Sequence, residues 1–360
     1  MDFALLRDAF WGLSFDGLAL GAIYALISLG YTLVYGVLRL INFAHSEVFM
    51  IGTFAALVAS SGLMGVKVED EPRTGVSMIL TLIVCLAIAM LASAITAVLV
   101  EIVAYRRLRQ RGATKLATLI SAIGVSISLV ELFRILTDSL PREFPRIMEK
   151  TFLFSYAGAD IRNDKVIVIV AAGLMMFALE RFITKSRLGK GIRAVSMDEN
   201  TSTLMGVNIN RVITVTFFAG GLMAGAAAFF YILVYENTSF KVGFFLGISA
   251  FTAAVLGGIG NLKGALFGGF ALGLMETWTS AVFGTAWKAV ISFIILVLVL
   301  LIKPTGLFGE SIQQARVQWL TRSIALTCAI EALTIGSVHQ SGVVLQWPSS
   351  SSLFATHFHS

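Results

Sequence analysis

The stretch "VSMILTLIVCLAIAMLASAITAVLVEIVAYRRLRQRGATK", residues 76–115, decides the fold class. Residues 76–104 are apolar with Glu101 as their one charge, and they run straight into a loop, 105–115, crowded with Arg and Lys. A helix needs about twenty residues to cross the hydrocarbon core of a bilayer. In lipid it must also pair its own backbone amides and carbonyls. The run therefore reads as a transmembrane helix with a basic end.

Working outward, comparable apolar segments lie at 17–38, 47–65, 114–137, 165–183, 212–235, 244–259, 265–284 and 287–303. Of 360 residues, 57% are hydrophobic and 13% charged, against about 25% charged in a soluble domain. The expected fold is an all-α polytopic membrane bundle of eight to nine transmembrane helices. The count turns on whether 244–284 holds two full spans or includes a helix broken at "LGGIGNLKGALFGG" (256–269). Residues 1–310 are expected to form the membrane domain, and 311–360, Ser-rich at its end, a weakly ordered or peripheral cytoplasmic tail.

Charge sets the orientation. The loop 105–115 is basic, and so is the segment holding Lys185, Arg187, Lys190, Arg193 and Arg211. Two spans separate them, and the positive-inside rule assigns both to the cytoplasm. The loop 138–165 balances its charges and belongs outside. Counting from these anchors leaves the N-terminus outside and the C-terminus cytoplasmic. The first apolar run follows no basic region and reads as a retained helix rather than a signal.

Several function classes fall away. The net charge of +6 is distributed over loops, not along an aromatic-interleaved stripe, so it reports topology rather than nucleic acid. Cys85 and Cys328 are far apart and make neither a disulfide framework nor a zinc spacing. His357 and His359 lack carboxylate or thiol partners nearby, so no metal is expected. No GxxxxGK[ST] phosphate loop occurs, and "GGIGNLKG" (257–264) reads as a membrane hairpin turn; the chain is expected to carry no ATP site and no bound cofactor.

Small residues suit close helix contact: Gly221 and Gly225, Gly264 and Gly268, and Gly269 and Gly273 share the GxxxG spacing. "GLALG" (17–21) and "GFALG" (269–273) look alike and would run in opposite directions, as inverted repeats do in transporters. Polar residues inside the bundle are few. In "VYGVLRLINFAHSEVFMIG" (34–52), Arg39, Asn42, His45, Ser46 and Glu47 interrupt two apolar runs. They read either as an interfacial turn, with Glu47 satisfied by Arg39 or His45, or as part of a pathway. Glu131 and Arg134, three apart, suit a structural ion pair. Glu276, beside Trp278 two positions on, is a candidate internal polar contact.

The longest soluble-looking stretch between spans is "SRLGKGIRAVSMDENTSTLMGVNINR" (186–211). Ser196 with Glu199 predicts a capping box, Asp198 and Glu199 suit a helix N-terminus, and Gly206 supplies a stop. The expected helix, 197–205, is too short to stand alone in water and needs docking. Met197, Leu204 and Met205 are available for contact. Docking onto the bundle itself and presentation to a soluble engine are both open on these residues.

Several blocks resemble one family, the integral permeases of branched-chain amino acid ABC importers served by a periplasmic or lipid-tethered binding protein. They are "LGYTLVYGVLRLINFAHSEVFMIG" (29–52), "VEIVAYRRLR" with "LATLISAIGVSISL", "RLGKGIRAVSMDENTSTLMGVNINRV", "AFTAAVLGGIGNLKGALFGGFALGLMETW" and "IKPTGLFGE". Ser46 stands where Gly is the more familiar residue, and nothing beyond about 311 has a counterpart. The resemblance implies a bacterial inner-membrane permease paired with a second, homologous permease. Two ATPase subunits carrying ATP and Mg, and an external substrate-binding protein, complete the machine. It implies coupling to the ATPases through Gly189, Arg193, Ala194, Asp198, Leu204, Met205 and Gly206, with Arg193 and Asp198 in charge-assisted contacts. It places Tyr31, Tyr35, Asn42 and His45 near the translocation path, to which Glu276 is added as a polar candidate. The implied substrate is a Leu/Ile/Val-type amino acid; urea or short amides, carried by related permeases, and a self-sufficient carrier or a membrane scaffold are the competing readings.

Overall fold

Eight helices are long and apolar enough to cross a membrane in the computed structural model, which describes residues 6–7, 9–156 and 159–309. The expected tail at 311–360, with His357 and His359, lies outside the described residues. In chain order the helices are α1 (Phe10–Leu38), α2 (His45–Val58), α3 (Gly75–Val100), α4 (Lys115–Leu136), α5 (Asn163–Lys185), α6 (Arg187–Met197), α7 (Glu199–Leu204), α8 (Ile209–Tyr235), α9 (Val242–Gly257), α10 (Leu262–Phe283) and α11 (Lys288–Ile302). A π-helical turn extends α2 to Leu63, and a longer one carries α3 through Arg106 into a last helical turn ending at Gln110. A 3-10 turn, Thr285–Trp287, leads into α11, and two small antiparallel pairs complete the elements: β1 (Arg142–Glu143) with β4 (Asn237–Thr238), and β2 (Phe152–Tyr156) with β3 (Ala159–Arg162). The polytopic all-α expectation holds. The open question at 244–284 resolves into a 16-residue helix, α9, followed by the 22-residue α10.

The layers follow from residue size. Helices α1, α8 and the short α2 and α9 make the core, while α4, α5 and α11 turn mostly apolar side chains outward. A backbone can approach another closely only where side chains are missing. Helix α1 lies antiparallel on α10 with its "GLALG" against "GFALG": a Cβ on Gly21 would sit 2.7 Å from the Cα of Phe270, and one on Gly269 2.6 Å from the Cα of Ala25. The two similar pentapeptides are thus one contact seen from both sides. Helix α8 rests on α3 in the same manner, with Gly221 2.6 Å (as Cβ) from the Cα of Ala94.

One construction occurs twice, in opposite directions. Helix α1 ends on Arg39, a non-glycine residue in the left-handed region (φ 51°); residues 40–44 double back, and α2 begins at His45. Helix α8 ends on Glu236 (φ 55°), residues 237–241 double back, and α9 begins at Val242. His45 Nε2 lies against Gly30, nine residues before Arg39 on α1, which is about 13 Å back along that helix. The starts of α2 and α9 then meet deep in the bundle, where Gly243 packs on Ser46, Glu47 and Met50. Thr53 and Thr238, their hydroxyls 2.6 Å apart, tie α2 to the second link. Each short helix also packs on the helix that follows it, α2 on α3 and α9 on α10.

The two ends of the bundle differ. At the basic end Arg106 pairs with the buried Glu101 at 2.6 Å, Arg109 reaches the same carboxylate and Asn210, and Lys263 pairs with Glu180. At the other end Glu236 is held by Arg146 and Lys150.

Candidate functional site

The polar stretch between α5 and α8 forms a helical hairpin at the basic end. Ser186 caps α6 by accepting from the Gly189 amide at 2.8 Å. Asp198, in extended conformation, caps α7: its carboxylate accepts from the amides of Asn200 and Thr201 and from the Thr201 hydroxyl. The Thr201 amide leads the effects that hold this carboxyl below the usual aspartate range, with its hydroxyl next and Arg39 adding a small pull. Gly206, at φ 81°, ends the hairpin in the left-handed region where a side chain would be strained.

Two expectations need correcting here. The cap is Asp198 and not Ser196, whose hydroxyl instead donates to the carbonyl of Arg193 inside α6. A carboxylate directly before α7 reaches two amides at once, so the box with Glu199 does not form. The expected helix over 197–205 is present as the shorter α7, Glu199–Leu204, but a second helix that was not expected, Arg187–Met197, precedes it. Its glycines obscured this. Gly189 is buried so tightly on the backbone of Phe182 and Ile183 that no side chain fits, so it serves packing rather than flexibility.

The hairpin sorts its residues into two groups. Gly189, Arg193, Asp198 and Gly206 shape it; the Arg193 guanidinium donates to the Thr184 carbonyl and staples α6 to the end of α5. Ala194 is half-buried, and Ile192, Val195 and Ser202 are buried against the bundle. Met197, Leu204 and Met205 point away, 81%, 87% and 80% exposed. Three large apolar side chains therefore stand clear of a polar helix pair.

The residues expected near a path come together only in part. Tyr31, Tyr35 and Asn42 line a small cavity of about 10 Å³ with Ile41, Phe251 and Ile259, room for a single water. His45 meets Tyr31 edge-to-face at 4.9 Å. Asn42 is fixed by the Tyr105 hydroxyl, which donates at 2.8 Å, and by the Ala44 amide. Thr32 Oγ1, His45 Nε2 and Glu47 Oε2 are buried without a hydrogen-bond partner among the described residues. Glu47 is satisfied neither by Arg39 nor by His45: its other oxygen accepts from the hydroxyls of Ser46 and Ser126. Arg39 points the opposite way, to the carbonyls of Ser196 and Met197. Glu276 is not at this cavity. It is buried among Tyr24, Ser249 and Ser292, which donate to it. Glu131 and Arg134 do form the expected ion pair, on a half-exposed face of α4.

Beyond the cavity, at the end opposite the hairpin, a hollow of about 420 Å³ opens between Asp70, Glu143, Arg146, Tyr235, Glu236 and Asn237. It lies over the second doubling-back link. Sequence reasoning did not anticipate Phe251 or the reach of Arg39; both depend on contacts across the bundle, and no local pattern announces them.

Comparison with known proteins agrees with this geometry. A family described as "Branched-chain amino acid transport system / permease component" matches residues 13–300. The chain is 40% identical over 298 residues to the high-affinity branched-chain amino acid transport system permease protein BraD of Pseudomonas aeruginosa, covering 82% of this chain and 94% of that one. It is 38% identical over 299 residues to LivH of Escherichia coli, a protein of the same description, with the same coverage. A probable branched-chain amino acid transport permease, LivH of Methanocaldococcus jannaschii, is 24% identical over 298 residues, covering 79% of this chain and 88% of that one. No solved structure matches the chain.

Proposed function

This chain belongs to the family of branched-chain amino acid transport permeases, and from that premise we propose that it forms the translocation path of an ATP-driven importer of Leu/Ile/Val-type amino acids. It sits in the bacterial inner membrane beside a second permease, with its N-terminus outside and its basic end in the cytoplasm. Two ATPase subunits bind at the basic end, and an external binding protein delivers substrate at the other. The observation that carries this reading is the exposure of Met197, Leu204 and Met205 on a hairpin whose shape is otherwise fixed by its own hydrogen bonds. Large apolar side chains left exposed on a polar helix pair suit a contact site.

In this machine the chain's residues position and gate rather than react; no enzymatic activity is indicated. ATP and Mg belong to the partner subunits. Closing of the ATPases moves the α6–α7 hairpin, with Leu204 and Met205 seated in a groove of the partner. Substrate enters from the hollow near Glu236 and passes along the seam where α2 and α9 begin. His45 and Glu47, each with a buried polar atom that has no partner among the described residues, stand at the start of α2 on that seam. The cavity at Tyr31, Tyr35 and Asn42 is the closed gate, since a leucine side chain cannot fit in about 10 Å³. The path carries no charged cage, which suits a small zwitterion already selected outside. The branched-chain descriptions of the relatives favour this substrate class over urea and short amides.

Reconstitution in liposomes tests the reading. Leucine uptake is expected only when the second permease, both ATPases and the binding protein are present with ATP. Leucine movement by this chain alone would overturn it.

A further inference from the structure

Arg39 occupies a position that neither helix packing nor substrate contact explains. It ends α1 in the left-handed region at φ 51°, ψ 36°, with its amide bonded to the Tyr35 carbonyl. That conformation is unfavourable for a residue with a Cβ and persists only where its surroundings hold it. The hold comes from the hairpin: one terminal nitrogen of the Arg39 guanidinium donates to the carbonyls of Ser196 at 3.0 Å and Met197 at 3.2 Å. These are carbonyls of the last turn of α6, where helix geometry leaves acceptors unpaired and a cation is favoured.

Both ends of this connection matter. Met197 is the last residue of α6, directly before Asp198, so the contact falls at the joint of the hairpin that presents Met197, Leu204 and Met205. On the other side, Arg39 directly precedes the link 40–44, which holds Ile41 and Asn42, two walls of the small cavity, and leads into α2 at His45. The middle of that link is anchored by Asn42, which accepts from the Tyr105 hydroxyl at 2.8 Å. A displacement of the α6–α7 joint therefore pulls directly on the first residue of the gate segment, about three residues from Asn42, with no intervening side chain.

We propose that Arg39 is a positioning residue that converts movement of the α6–α7 joint into opening of the 40–44 gate segment. The proposal rests on the importer reading given above. It separates two properties that a merely structural role would lose together: holding and firing the ATPases on one side, and moving substrate per ATP on the other.

The test uses the complete transporter, with binding protein and both ATPases, carrying Arg39→Ala or Arg39→Lys. Arg39→Ala is expected to keep its ATPase subunits and hydrolyse ATP within about twofold of the natural complex. It should move about tenfold less leucine per ATP, within the range found for residues along a coupling path. Arg39→Lys keeps a cation for the helix end on a different head group, and should recover a substantial part of the ratio. An unchanged leucine-to-ATP ratio in Arg39→Ala overturns the proposal, as does a parallel fall of hydrolysis and uptake. If Arg39→Ala does not assemble, Arg39→Met, which keeps the apolar stem without a donor, decides: a natural ratio there overturns the proposal, and a reduced ratio with intact hydrolysis supports it. Failure of the importer reading would show separately, as a natural complex that takes up no leucine with ATP.

Discussion

Tyr24 of α1 donates a 2.7 Å hydrogen bond to Glu276 of α10, and both residues are buried. Ser249 of α9 donates to the other carboxyl oxygen at 2.9 Å, and Ser292 of α11 reaches the same oxygen. Four helices are thereby joined through one side chain, at some remove from the cavity at Tyr31. Replacing Glu276 with Ala strands the buried Tyr24 hydroxyl and leaves Ser249 and Ser292 only each other, at about 1–3 kcal/mol for an unsatisfied group, and should lower the unfolding temperature in detergent clearly. Glu276→Gln keeps an acceptor oxygen and should be much milder. Uptake should follow stability in both variants. A stable Glu276→Gln protein that has lost leucine uptake would instead make this carboxyl part of the path.

The antiparallel contact of α1 with α10 admits no side chain at its two central glycines. At Gly269 an added Cβ would lie 2.6 Å from the backbone of Ala25, and at Gly21 it would lie 2.7 Å from that of Phe270. Gly269→Leu should cost about 3 kcal/mol or more, the upper range for overpacking, visible in the same melting measurement. Gly36, on the same helix α1, has open space around its Cβ direction. Gly36→Ala should be neutral or slightly stabilising, by up to about 1 kcal/mol.

Glu236 gives a pH signature outside the membrane spans. Burial pushes its carboxyl up, but the Arg146 and Lys150 hydrogen bonds and charges more than offset this, leaving it below the usual glutamate range. A carboxylate depressed on folding contributes stability above its unfolded value of about 4.3, and loses that contribution as pH falls through its lower folded value. The melting-temperature gap between the natural protein and Glu236→Gln should therefore be full at neutral pH and close as the solution is acidified below about pH 4. A gap that stays constant down to strong acid would contradict the assignment.

How much of this was legible depended on the range of the cause. The spans were readable because their length and polarity are local properties, and the hairpin turn at 257–264 because Gly258 and Gly260 take positive φ there while Asn261 caps α10. Arg39 through Glu47 read as a polar turn, yet the structure drives His45 back between Gly30 and Gly220. That burial is decided by glycines on two other helices, which no window around His45 contains. Helix α6 was missed for a related reason. Gly189 and Gly191 lower local helix propensity, whereas their role is to let α6 sit on α5 and near Val212. The pairing of "GLALG" with "GFALG" was visible as similarity, but its meaning as a contact required the fold.

The central claim is that the α6–α7 hairpin is the handle of an external motor, and binding of the ATPase subunits measures it most directly. Titrated against the purified permease pair, the ATPase should bind the natural protein. It should bind Leu204→Glu at least about 30-fold more weakly, the loss expected when a charge replaces an apolar anchor worth about 2 kcal/mol. Both permeases should keep the same melting temperature, because Leu204 touches little of its own chain. Equal affinity of the ATPase for both proteins would contradict the account.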